Sequence, residues 1–179
     1  MLLQSIMARA RRIQDKPARA LCTFHRNSVL VANAEVIPDR REALEHIAHE
    51  PACYFIERRL PQAEYWRLHD EFAFEVSPRG NGLDCFRTWE CLLLNTIPIV
   101  KTSPLDTLYR QEGYPVAIVE SFREISTDNL KRWKTQLEGR FGPDLVRTLT
   151  TDTWVRRIRD AARLRHDAAQ ARVDAPAGV

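Results

Sequence analysis

Five short runs are rich in aromatic and β-branched residues and bounded by Pro, Gly or charges: ALCTFH (20–25), ACYFIE (52–57), FAFEVS (72–77), IPIVK (97–101) and PVAIVE (115–120). Between them lie stretches of about ten residues whose apolar positions recur with helical spacing. Strands alternating with helices of that length specify βαβ units with right-handed crossovers. The expected fold is α/β: a three-layer, Rossmann-like domain with a parallel sheet of about five strands and helices on both faces.

The helical segments carry their own start and stop signals. PDRREALEHIAHE (38–50) opens with Pro38 and acids and repeats apolar positions at Ala43, Leu44, Ile47 and Ala48. PQAEYWRLHDE (61–71) has Pro61 at its start and Tyr65, Trp66 and Leu68 inside. CFRTWECLLLN (85–95) is apolar on most sides, which predicts a buried helix. In STDNLKRWKTQLEGRF (126–141), Ser126 or Thr127 caps a stripe of Leu130, Trp133 and Leu137. The last helix, TDTWVRRIRDAARLRHDAAQAR (151–172), has only a thin seam of Trp154, Val155, Ile158 and Ala162, and the tail VDAPAGV is expected to fray. Residues 1–19 then form a basic helical lead-in, 20–149 the α/β domain, and 150–179 a basic helix and tail.

With 179 residues, 44% of them hydrophobic, the chain suits one domain with a real core. Its net charge of +3 lies in the ends: residues 1–19 hold five Arg or Lys against one Asp, and 150–179 six Arg against four Asp. The body is slightly acidic, which argues against a nucleic-acid-binding face. Along the last helix, Asp152, Asp160 and Asp167 break any continuous basic stripe. Cys22, Cys53, Cys85 and Cys91 form no CxxC pair and read as small buried hydrophobes. No apolar run is long enough for a membrane span. The start, MLLQSIMARARR, puts its charges after its apolar patch, the reverse of a secretory signal, so a cytoplasmic location is expected.

SPRGNGLDCFRTWE (77–90) concentrates the chemistry. It follows the third strand run, where an open α/β sheet binds its ligands. Gly80 and Gly82 permit positive φ and close backbone approach, so that successive N–H groups can face an anion. Asp84 is the expected N-cap, which puts Arg87 in the first helical turn. A cation there opposes the helix dipole by up to about 1 kcal/mol unless an anion is bound beside it. Glu90, one turn on, either pairs with Arg87 or accepts from ribose hydroxyls. The competing reading is a plain glycine turn with an Arg87–Glu90 pair worth about 0.2–0.5 kcal/mol. GNGLDC does not satisfy GxGxxG, and there is no GxxxxGK[ST].

The order SPRGNGLDCFRTWECLLLNTIPIVKTSPLDTLY followed by YPVAIVESFREIS resembles the C-terminal, donor-binding half of exostosin-like glycosyltransferases, the family 47 type, over roughly residues 20–135. The resemblance implies one half of a GT-B enzyme and a site for a nucleotide sugar, most simply a UDP-sugar. Ser77, Gly80, Asn81 and Gly82 then match the phosphate-side loop, Arg87 the cation facing the departing diphosphate, Glu90 the carboxylate near the ribose, and Ser103 and Pro104 a second loop bordering the sugar. Asn95 stands where the family usually has a helix-ending glycine, and Asn is the usual substitute at a left-handed cap. No DxD motif occurs and no metal is expected, in keeping with enzymes that neutralise the diphosphate with Arg and helix dipoles. The acceptor site and base would belong to a second α/β domain or partner chain. The alternative is a non-catalytic nucleotide-binding remnant or interaction module.

Two further groups lie apart from this loop. His46 and His49, spaced i, i+3, read as solvated helix-face residues because no third metal ligand is in view. Arg58 and Arg59 end the second strand run on the same carboxyl edge as the glycine loop, where a phosphate contact and a surface role are both open.

Overall fold

The computed structural model describes residues 2–24, 38–80 and 82–173. All five strand runs form strands: β1 (Ala20–Cys22), β2 (Cys53–Phe55), β3 (Phe74–Val76), β4 (Ile97–Lys101) and β5 (Ala117–Val119). They build one all-parallel sheet in the order β2-β1-β3-β4-β5. The helices are α1 (Leu2–Met7), α2 (Pro38–Ile47), α3 (Gln62–Leu68), α4 (Phe86–Leu93), α5 (Asp106–Gln111), α6 (Thr127–Leu137), α7 (Pro143–Thr148) and α8 (Thr151–Val173). The fold is thus the expected Rossmann-like three-layer domain.

Side chains alternate across the strands, and each face meets its own helices. Ala20, Cys22, Phe74, Val76, Ile97 and Ile99 pack against Ala43 and Ile47 of α2 and the Leu130, Trp133 and Leu137 stripe of α6. On the other side, Val100 and Val116 join Leu92 of α4, Tyr109 of α5 and Leu145 of α7. Ser126 is the cap of α6, accepting from the Asn129 amide at 3.3 Å. The helix α7 was not anticipated; Pro143 directly after Gly142 starts it.

The end of α4 is pinned from a distance. Asn95 adopts φ 52°, the left-handed turn expected of it. Lys16, buried, donates its Nζ to the Leu94 carbonyl at 2.7 Å and to Thr96 Oγ1 at 3.0 Å, ending the helix. Burial pushes the Lys16 ammonium down to about 8, since desolvation penalises its charge more than Asp70 favours it. On α8, Trp154 is half-buried with its indole donating to the Thr148 carbonyl at 2.8 Å. Val155 and Ile158 of the predicted seam are exposed. Residues 174–179 of the tail lie outside the described residues.

Candidate functional site

From β1 the chain crosses to β2 on one side, then returns past β1 to β3 and continues outward. The sense of the crossovers therefore reverses between β1 and β3, and in an open α/β sheet the ligand crevice lies outside the carboxyl ends of those two strands. A crevice of about 360 Å³ opens there, within the roughly 300–1,000 Å³ of small-molecule sites. Thr23 follows β1, Ile56, Arg58 and Arg59 follow β2, and Cys85, Phe86, Arg87 and Glu90 come from the start of α4. Arg40 reaches in from α2 and Tyr65 from α3.

Beneath this crevice lies a charge that the sheet buries completely. Glu75, in β3 and paired in register with Leu21, is 0% exposed. A bare carboxylate there is prohibitively costly, so every nearby donor is turned onto it. Arg87 Nε lies 3.1 Å from Oε1, and Thr23 donates to the same oxygen at 2.5 Å. Tyr65 OH (3.0 Å), His69 Nε2 (2.8 Å) and Cys91 Sγ (3.3 Å) donate to Oε2. The His69 ring is oriented through Nδ1 by the Tyr65 carbonyl at 3.0 Å. Burial acts to raise the Glu75 carboxyl, but His69 and Arg87 outweigh it and hold it below the ordinary carboxylate range. Burial and then the Glu75 charge push the Cys91 and Tyr65 groups up, so both stay protonated. Burial also works against the Arg87 charge, and Glu75 more than offsets it.

Arg87 is therefore anchored at its Nε, which also donates to Thr23 Oγ1 at 3.1 Å, while Nη1 donates to Cys85 Sγ at 3.5 Å. Its side chain remains 17% exposed, on the crevice. Arg40 donates Nε to the Arg79 carbonyl at 3.1 Å. Burial and the nearby positive charge of Arg87 push the Arg40 guanidinium down. Arg58 pairs with Glu64 on the exposed rim, and Arg59 is exposed beside it. Four guanidinium groups thus converge on one crevice whose lining, among the described residues, holds a single acid, Glu90. Such a surface favours a multiply charged anion.

The residues expected from the sequence divide into separate places. Arg87 and Glu90 line the crevice but do not pair: Arg87 is held by Glu75, and Glu90 Oε1 accepts from Gln62 Nε2 and Trp66 Nε1, each at 3.0 Å. Ser77 is buried, its hydroxyl within 3.0 Å of Thr88 Oγ1 and 3.1 Å of Cys85 Sγ, so it braces the start of α4. Ser77 and Ser103 border a second, smaller hollow of about 150 Å³ beyond β3 and β4, with Asp39, Arg79 and Lys101. Ser103 shapes the turn into α5, donating its amide to Asp106 Oδ1 at 3.1 Å, and Pro104 is exposed beside it.

The expected cap is corrected. The N-cap of α4 is Cys85 in extended conformation with no side-chain cap bond, and the Asp84 carboxylate instead accepts from Trp89 Nε1 at 2.7 Å. Positive φ is not what Gly80 and Gly82 supply: among the described glycines only Gly113 adopts it, at 66°. A Cβ at Gly80 would stand 3.5 Å from the Arg40 guanidinium, an ordinary contact. Asn81 lies outside the described residues.

Sequence reasoning missed Glu75, Tyr65, His69, Thr23 and Arg40 as parts of the site. One signal was available: a parallel strand buried on both faces reads as a continuous apolar run, and Glu75 interrupts the apolar FAFEV run between Phe74 and Val76. His69, Glu75 and Cys91 also form a possible metal-donor set, their ligand atoms all within 4.8 Å. Within that set Glu75 is already paired with Arg87 Nε at 3.1 Å and hydrogen-bonded to His69 Nε2 at 2.8 Å. On α2, His46 Nε2 lies 2.8 Å from the Ile125 carbonyl, a structural bond to the turn before α6 in the same layer. No protein-family model and no curated protein matches the chain.

Proposed function

We propose that the crevice binds the diphosphate of a nucleotide sugar, most simply a UDP-sugar, and that the chain is the donor-binding part of an exostosin-like glycosyltransferase of GT-B type. The observation that carries the reading is the convergence of Arg40, Arg58, Arg59 and Arg87 on one crevice at the β1/β3 switch point. Arg87 is the group suited to the departing diphosphate: Glu75 fixes its position from behind, so little reorganisation is needed when negative charge develops in front. Acceptor and base would come from a second α/β domain or partner chain. Glu90, the one acid among the described residues of the lining, already has an oxygen committed to Gln62 and Trp66, which favours as a second reading a nucleotide-binding module without transfer.

Calorimetry of the whole chain against UDP and AMP tests the site: UDP is expected to bind more tightly, and equal or absent affinity for both rejects it. A radiolabelled-sugar transfer assay then separates the two readings. The chain alone is expected to show at most slow hydrolysis of a UDP-sugar, because transfer also requires an oriented acceptor.

A further inference from the structure

The crevice has an apolar side as well as a cationic one. Ile56, Leu60 and Phe86 share it with the arginines. Phe86 stands out among them at 86% exposed. Leaving a Phe in water forgoes the stabilisation of burying a large apolar ring, and Phe is a mediocre helix former at the first position of α4. Neither packing nor propensity accounts for an aromatic ring there. The neighbouring positions are different: Arg87 turns inward to Glu75, and Thr88 is buried against Ser77.

The other aromatic ring on the crevice is committed elsewhere. Tyr65 gives its hydroxyl to Glu75, and its ring packs edge-on to His69 at 4.8 Å between centroids and 79° between planes. Phe86 alone keeps a ring open to a ligand among the crevice's described aromatics. An anion such as inorganic pyrophosphate uses only the guanidinium groups. A molecule with a flat π-face joined to a polyanion uses both sides, and a nucleoside diphosphate is that kind of molecule.

Resting on the donor-site reading above, we infer that Phe86 is the platform on which the nucleobase stacks and is the residue that makes the crevice prefer nucleotides to simple polyanions. Stacking of a base on an aromatic side chain is tolerant of base identity, so Phe86 sets the requirement for a base and not which base is taken.

The test compares the whole wild-type chain with Phe86→Ala and Phe86→Trp by calorimetry against UDP and inorganic pyrophosphate. Phe86→Ala is expected to weaken UDP by about 5- to 150-fold, the loss of one stacked base, and to leave pyrophosphate unchanged; Phe86→Trp keeps UDP affinity. Because the ring is exposed, neither substitution disturbs the core, and equal thermal midpoints verify this. Unchanged UDP affinity in Phe86→Ala, with pyrophosphate and UDP both bound by the wild type, overturns the inference and leaves the anion site standing. A parallel loss of both ligands also overturns it, since the ring would then be shaping the arginine cluster. No binding of either ligand by the wild type overturns this inference and the donor-site reading together.

Discussion

Arg87 Nε and Glu75 Oε1 meet at 3.1 Å, the carboxylate wholly excluded from water and the guanidinium open on one edge to the crevice. Arg87 is thus a core ion and a surface cation at once, and stability and binding cannot be altered independently through it. From the sequence alone, removing an arginine from the first turn of a helix would be expected to cost nothing or to help. The buried partner reverses that sign.

Arg87→Ala is therefore expected to lower the unfolding free energy by about 3 kcal/mol, the low end for a broken buried pair, because His69, Tyr65 and Thr23 still hold Glu75. The combination Arg87→Met with Glu75→Gln should recover much of that loss. Urea denaturation of the wild type and the two variants measures it, and an unchanged midpoint in Arg87→Ala would mean that the pair does not form.

Arg58→Ala and Arg59→Ala should behave in the opposite way. Both residues are exposed, and the Arg58–Glu64 pair is of the kind that contributes little to folding. Thermal midpoints should stay put, while UDP affinity falls roughly tenfold for each, as for one charge-assisted hydrogen bond lost. Binding should also weaken with added salt. Titrations at low and physiological ionic strength report both effects.

Lys16 makes stability depend on alkaline pH. Its amine sits at about 8 in the folded chain, against roughly 10.4 when unfolded. Between those values the unfolded state binds more protons, so this residue's contribution rises with pH, by up to about 1.4 kcal/mol per unit, and is lost as pH falls through 8. Cys91 and Tyr65, raised by burial, act in the other direction in the same range. The measurement is accordingly a difference: wild-type stability minus that of Lys16→Met should climb from pH 8 to 10, and a flat difference would show that the amine is not buried as described.

The left-handed positions can be tested by backbone chemistry alone. Asn95→Ala and Gly113→Ala should each cost about 1 kcal/mol, because a Cβ without a local hydrogen-bonding side chain is disfavoured at φ 52° and 66°. Asn95→Gly should be neutral or better. Gly80→Ala, whose new Cβ meets only the flexible end of Arg40, should stay within about 0.5 kcal/mol. Thermal melts of the four variants rank them.

What the sequence disclosed and what it hid follow from the range of the interactions involved. The strands, the Leu130–Trp133–Leu137 stripe, the Ser126 cap and the Asn95 turn depend on neighbours within a few residues, and periodicity or capping chemistry exposes them. The partner of Arg87 was not in that range. Glu90 is three residues away and on the same helix, yet Glu75 wins because it has no water to fall back on and Glu90 has Gln62 and Trp66. Asp84 lost the cap to Cys85 for a similar reason: the Trp89 indole, one turn on, competes for the same carboxylate. Arg40 joined the site from another strand-to-helix connection, which only the strand order reveals.

That strand order has a consequence for how the protein matures. Thr23 and Arg87 are 64 residues apart along the chain and touch only when β3 has docked beside β1. No fragment ending before α4 and no collapsed state with β3 out of place can assemble the four guanidiniums, so ligand competence arrives late, together with the long-range pairings that limit the rate in parallel sheets. On the proposed donor-site reading, a nucleotide added during refolding should therefore leave the early steps untouched and slow only the reverse reaction, acting as a latch on the finished molecule and not as a template for making it.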